Sequence, residues 1–393
     1  MYDLVLKGGT VIDPSQQLNG AFDVAVQGGL IAKVAADIPA HEAAKVVEVK
    51  GRIVTPGIID VHTHVFDGVA SNGVHPDMAG VLAGVTTVVD AGSAGSATFA
   101  AFPRYIMPAV KTEIIPLLHI CSTGLATSPD IVAEASINLD DTLKVAEQYR
   151  GLIKGIKARM VSPALEIFGM EMPRLAKRAA KEAGIPLMVH IGDTEKRYDP
   201  MVIRELLPLL EPGDIVTHLF TANPGGVLDS NGKVVPEARE AVERGVWTDT
   251  AHGRFNFGFD VAKRVLDQGV MPNCISTDIT VPGRLLTVHS MVEIMTRFLG
   301  FGFPLEQVIE MCTINPARAI GEQHRLGSLA VGRQADISVL EIRDGRWKVY
   351  DALREAMTVE KAVVPFLTVK RGEVYTPEWG PRPWGWEPDP DMD

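Results

Sequence analysis

Residues 55–64 read TPGIIDVHTH: a Pro-Gly turn, a short apolar strand and two histidines two positions apart. Side chains alternate faces along a strand, so His62 and His64 share one face at a strand end, where two imidazoles reach a single ion. With 10 histidines in 393 residues, chance supplies such a pair in about one chain in four. The pair therefore decides nothing alone, and its weight comes from the pattern it opens.

Outward from it, short apolar runs alternate with helical segments as far as Asp278. The predicted strands are residues 58–62, 86–90, 114–119, 153–158, 186–190, 214–218, 246–250 and 273–277. Helical stretches between them include 139–149, behind the capping residue Asn138, and 171–183, ending at Gly184. Eight strand-helix units predict an α/β fold, a (β/α)8 TIM barrel over residues 56–326 with two or three helices after residue 280, one at 305–312.

Residues 1–55 alternate apolar and polar side chains around a Gly28-Gly29 turn, and strand texture returns from about Gly327. Asp344-Gly345 is a hairpin signal, and Arg371-Gly372 marks a further turn. Both ends of a barrel lie close together, so residues 1–55 plus 327–393 are expected to form one small β-sandwich module. The Pro/Trp-rich stretch 377–393 is expected to be a surface arm or a subunit contact.

Composition sets the bounds. Hydrophobic residues make up 46% and charged residues 22%, and the net charge of −11 is interspersed, which argues against nucleic acid as a partner. Cys121, Cys274 and Cys312 lack metal or disulfide spacing, and the start of the chain carries no signal-peptide pattern. Gly, Pro or a charge interrupts each apolar run short of the roughly 20 residues that span a bilayer. A soluble, cytoplasmic enzyme, and a homo-oligomer, is the expectation.

Three further predicted strands end on divalent-metal ligands: PLMVH on His190, DIVTH on His218 and NCIST before Asp278. The C-terminal strand ends of a barrel converge on one face. Four imidazoles and a carboxylate there suit zinc and similar first-row metals. Two ions sharing these groups need an anionic bridge, and GLIKGIKARM at 151–160 offers two lysines able to supply one as a carbamate. Lys154 and Lys157 face opposite sides of a strand. Lys157 lies nearer the C-terminal end and is preferred, with Lys154 the open alternative.

These features resemble the amidohydrolase superfamily, in its binuclear, carbamylated-lysine branch of dihydroorotase-like and hydantoinase-like enzymes. TPGIIDVHTH, GVTTVVDAG at 84–92, Lys157, His190, His218, Asp278, INPAR at 314–318 and GSLAVGRQADISVL at 327–340 carry the resemblance. It implies two divalent ions, with Zn2+ expected. His62, His64 and Asp278 would hold the more buried ion, His190 and His218 the more exposed one, and carboxylated Lys157 would bridge them. A bridging hydroxide would be the nucleophile, and Asp278 the catalytic proton shuttle.

Dihydroorotases carry an arginine two positions after the second histidine, where this chain has Phe66; hydantoinases carry a tyrosine soon after the lysine, where it has Ala158, Arg159 and Met160. The layout is most similar to deacetylases or esterases acting on acylated small acids, often labelled dihydroorotases. The expected activity is thus hydrolysis of an amide or ester of an acylated small carboxylic acid; the alternative is a cyclic amide hydrolase. A protein-binding scaffold is the reading from another class, and the full ligand set argues against it.

Candidate substrate contacts are Arg159, on the strand face of Lys157 with a fork of donors for a carboxylate, and His252 and Arg254 in AHGRFNF at 251–257. Ser93 and Ser96 lie in a Gly-rich loop after strand two, and His119 ends strand three with no assigned role.

Overall fold

The computed structural model describes residues 1–377. Five strands come first: β1 (Leu4–Asp13), β2 (Leu18–Gln27), β3 (Leu30–Ala35), β4 (Val46–Glu48) and β5 (Ile53–Pro56). Seven parallel strands follow: β6 (Ile58–Thr63), β7 (Val85–Gly95), β8 (Glu113–His119), β9 (Ile156–Arg159), β10 (Leu187–His190), β11 (Ile215–Thr217) and β12 (Trp247–Asp249). The last three are β13 (Ile337–Tyr350), β14 (Ala356–Lys370) and β15 (Glu373–Tyr375).

The parallel sheet runs in sequence order from β6 to β12. Strands sandwiched between helices and barrel interior are apolar on both faces, and all eleven residues of β7 are buried. The helices follow from local signals. Asn138 caps Leu139–Gln148 by accepting the Asp141 N–H. Glu171–Ala183 buries Met172, Ala176, Ala179 and Ala180 on one face and ends at Gly184 in the left-handed region.

The eighth strand differs from expectation. Residues 273–277 form no regular strand; Cys274 bridges Asp249 on one side and Ile279 bridges Thr63 on the other. Ladder bonds run from Thr250 N to Cys274 O (3.3 Å), Asp278 N to His62 O (2.7 Å) and His64 N to Ile279 O (3.1 Å). The curled sheet is thereby joined edge to edge. Asp278 sits at φ +49°, a left-handed conformation that interrupts strand geometry at the seam. Asp60 reinforces it, accepting Thr277 N–H at 3.0 Å and Thr277 O–H at 2.6 Å. Four helices follow rather than two or three: Val281–Leu286, Met291–Gly300, Leu305–Cys312 and Ile314–Ala319.

Strands from both termini form one eight-stranded sheet, β15-β14-β13-β5-β1-β2-β3, with β4 pairing β1; two separate facing sheets are not formed among the described residues. β13 supplies the join, pairing antiparallel to β5 on one edge and β14 on the other. The Asp344-Gly345 signal does not turn the chain. β13 runs through it with a register shift between Asp344 and Trp347, so a bulge absorbs the glycine. The reversal comes at Asp351, whose Oδ1 accepts the N–H groups of Leu353 (2.8 Å) and Glu355 (2.9 Å). Both glycine-containing turns expected at 28–29 and 371–372 are present. Most of the tail expected to be an arm or subunit contact, residues 378–393, lies outside the described residues.

Candidate metal centre

His62 and His64 come from the end of β6, Lys157 from β9, His190 from the end of β10, and His218 and Asp278 from the residues after β11 and at the seam. All six are buried. Ring centroids lie 5.5 Å apart for His62–His64, 5.1 Å for His62–His218 and 4.1 Å for His190–His218. Asp278 Oδ1 is 3.0 Å from His64 Nε2 and 3.4 Å from His62 Nε2. Lys157 Nζ is 3.3 Å from His62 Nε2. Ligand atoms of His62, His218 and Asp278 all fall within 4.8 Å of one another, a group able to hold a metal ion.

Three of the four imidazoles, those of His62, His64 and His218, are held by their outer nitrogens. His62 Nδ1 lies 2.8 Å from Thr217 Oγ1, whose hydroxyl donates to Asp249 Oδ2 at 2.7 Å; Ser276 donates to the other Asp249 oxygen at 2.7 Å. His64 Nδ1 lies 2.9 Å from Ser93 Oγ, and Ser93 N–H donates to Asp90 at 2.6 Å. His218 Nδ1 donates to Ala251 O at 2.7 Å, which leaves Nε2 as a bare lone pair. The Nε2 atoms of His190 and His218 are buried without a hydrogen-bond partner among the described residues. Each such orphan costs about 1–3 kcal/mol. Convergent lone pairs with the opposite ring nitrogen anchored are the donor set a divalent metal requires, so the residues fit such an ion.

Electrostatics agree. Burial, then the neighbouring Lys157 ammonium, holds His62 well below the usual imidazole range, and burial, then His218, does the same for His190. Burial lowers His218 to about 4. These rings are neutral at neutral pH. Burial also lowers Lys157 to about 7, against the opposing pull of Asp278. For Asp278 burial pushes upward, but the His64 hydrogen bond and the His218, His64 and Lys157 charges outweigh it and hold the carboxyl below its ordinary value.

Backbone conformation is unusual here: His218 (φ +74°), Ala251 (φ +35°) and Asp278 (φ +49°) are non-glycine residues at positive φ, a pattern that concentrates at functional sites. Two glycines make room. A Cβ on Gly92 would lie 2.5 Å from Lys157 Cβ, and one on Gly253 would lie 2.1 Å from Asp278 Oδ2.

The other sequence candidates are distributed differently. Lys154 is ion-paired with Glu322, which is not one of the candidate metal ligands. Arg159, its side chain 24% exposed, pairs with Asp130 at 3.2 Å. His252 is fully buried, stacked on Phe257 at 4.7 Å with Nδ1 against Gly253 O. Arg254 is exposed and lies over the Phe255 ring. Ser93 is buried as the His64 partner, whereas Ser96 is only partly buried. Sequence reasoning missed Thr217, Asp249, Asp90 and Asp60. Asp90, the last residue of the predicted strand 86–90 among the ligand-bearing ones, carried the one usable signal.

Residues 53–374 match the amidohydrolase family. The chain belongs to that family and is a hydrolase. A deacetylase of Brucella anthropi is 31% identical over 88% of this chain and 86% of its own length. The crystal structure of an adenine deaminase superposes with a TM-score of 0.87 at 30% identity, covering 96% of this chain and all of that one. That of a dihydroorotase superposes with a TM-score of 0.84 at 28% identity, over 95% of this chain and 99% of the other.

Proposed function

We propose that this chain is a binuclear metal-dependent deacylase, cleaving the amide or ester bond of an acylated small carboxylic acid. The observation that carries the reading is the convergence of His62, His64, His190 and His218 with Lys157 and Asp278 at one buried point. His62, His64 and Asp278 would hold one ion and His190 and His218 the other, with Lys157, carboxylated on Nζ, between them; zinc suits the neutral imidazoles. Ions bound there supply Lewis acidity toward the scissile carbonyl and acidify water.

The remaining steps belong to the chain. Asp278 takes the proton released by the attacking water and returns it to the leaving group, a role its oxygen facing both His62 and His64 supports. Arg159, reachable from solvent near His190, holds the substrate carboxylate, with His252 and Arg254 as further candidates in the loop beyond β12. The barrel, residues 56–326, carries this site, and residues 1–55 plus 327–377 form the attached module, the rest of the expected 327–393 lying outside the described residues. Buried, unpaired Cys121, Cys274 and Cys312 suit a reducing, cytoplasmic setting.

The second reading, a cyclic amide hydrolase, draws on the likeness to a dihydroorotase. Against it stands Phe66, fully buried 4.5 Å from the Phe102 ring, which supplies no cation beside His64. A screen of N-acetyl and O-acetyl carboxylic acids, both enantiomers of each, beside dihydroorotate and hydantoins separates the two. Turnover confined to ring substrates would replace the deacylase reading. Fewer than about one divalent ion per chain, after purification with metal and bicarbonate, would favour a scaffold.

A further inference from the structure

The mechanism leaves one buried cluster unused. His119, at the end of β8, is fully buried, and its Nδ1 accepts the Cys121 N–H at 2.9 Å. The ring hydrogen therefore sits on Nε2, which lies 3.3 Å from Asp130 Oδ2. The other Asp130 oxygen lies 3.2 Å from Arg159 Nη1. Asp130 is itself 7% exposed, and Cys121 Sγ, 3.1 Å from the Asp130 carbonyl, pins its backbone. Arg159 stands in register with His190 across β9 and β10.

We propose that His119 and Asp130 are positioning residues that hold Arg159 as a receptor for the substrate carboxylate beside the metal-ligand cluster. The proposal rests on the deacylase reading and deepens it, since it sets which acylated compounds are accepted. Asp130 approaches the guanidinium at Nη1 and keeps its second oxygen 3.3 Å from His119 Nε2. The pair braces Arg159, and because a guanidinium carries five N–H donors, those beyond the Asp130 contact stay available for a planar anion. A guanidinium carried on an unbraced side chain would lose rotamer freedom on binding; one already held by a buried carboxylate loses less. His119 Nε2, 3.3 Å from Asp130 Oδ2, adds a polar contact that favours the Asp130 carboxylate turned toward Arg159. A carboxamide in the same position offers no charge to the fork, so the cluster discriminates acids from neutral analogues.

The test compares N-acetylalanine with N-acetylalaninamide, in both enantiomers, on the metal-loaded full chain. Two measurements are made: the ratio of the two kcat/KM values, and binding of each compound by calorimetry. The acid-over-amide ratio is expected to fall about 100-fold in Arg159→Gln, about 10-fold in Asp130→Asn and about 3-fold in His119→Asn, with Arg159→Lys intermediate. Calorimetric affinity for the acid falls in the same order. Variants that depress both compounds equally, or that unfold at lower temperature with the ratio unchanged, would make the cluster structural and overturn the proposal. If the parent protein hydrolyses neither compound, the deacylase reading loses support, and calorimetry still decides the receptor: acid binding lost in Arg159→Gln supports it, and equal binding of acid and amide by the parent refutes it.

Discussion

Replacing Thr217 with valine tests whether the residues behind the histidines tune the metal site. Valine keeps the branched shape but exchanges the hydroxyl for a methyl, so packing is nearly conserved while two hydrogen bonds disappear. His62 Nδ1 loses its 2.8 Å partner, and Asp249 Oδ2 loses a 2.7 Å donor. Both groups are fully buried, with relative exposures of 1% and 0%, so water cannot replace what is lost. At about 1–3 kcal/mol for each orphaned group, the metal-free protein is expected to lose about 2–6 kcal/mol of folding stability. Losing the anchor that orients a metal-binding imidazole typically costs 10- to 100-fold in metal affinity, and the same range is expected here. Affinity is measured by competition with a chelator of known strength, and stability from the denaturant midpoint of the metal-free chain. Thr217→Ser, which restores the hydroxyl, should return affinity to within about threefold of the parent. A folded Thr217→Val protein with unchanged chelator competition would refute the idea that the Thr217–Asp249 pair orients a metal ligand.

Asp278→Asn is expected to retain bound metal while kcat falls about 10²- to 10⁴-fold, the usual contribution of a proton-transferring group; near-parent turnover at full metal content would remove Asp278 from that role. Glu113 predicts an acid-side stability slope: burial pushes its carboxyl up, but Lys370 and Arg325 outweigh this and lower it from 4.5 to about 2. Its contribution is therefore complete above pH 4.5 and is lost as pH falls through about 2, an interval worth about 3 kcal/mol. Denaturant titrations from pH 5 to pH 2 should show that slope in the parent and a flatter one in Glu113→Gln; identical slopes would show that Glu113 is not its source.

The barrel strands were legible because their burial is written as unbroken apolar runs, and the convergence of His190 and His218 followed from where those runs end. Strand alternation puts Lys154 and Lys157 on opposite faces and the place of Lys157 nearer the C-terminal strand end favours it, leaving Lys154 an open alternative; the structure places Lys157 against His62 while Lys154 pairs with Glu322. The eighth strand was misjudged because the apolar pattern of residues 273–277 does not reveal the positive φ at Asp278. Asp344-Gly345 carried a genuine turn signal, but pairing along the whole of β13 and β14 outweighs a local preference. Thr217 and Asp249 escaped notice because their partnership depends on neighbouring strand register, Thr217 opposite Asp249, and nothing local to either residue announces it.

The join between β5 and β13 also has a consequence in time. Pro56 pairs with Ile337, so an edge of the N-terminal sheet finds its neighbour only after about 280 further residues have been made. At roughly 5–20 residues per second on the ribosome, that edge waits roughly 15–55 seconds while the barrel emerges. An unpaired strand edge is a template for association with other chains. The nascent chain is therefore most exposed to misassembly before β13 arrives, and a chain truncated ahead of β13 would retain that open edge.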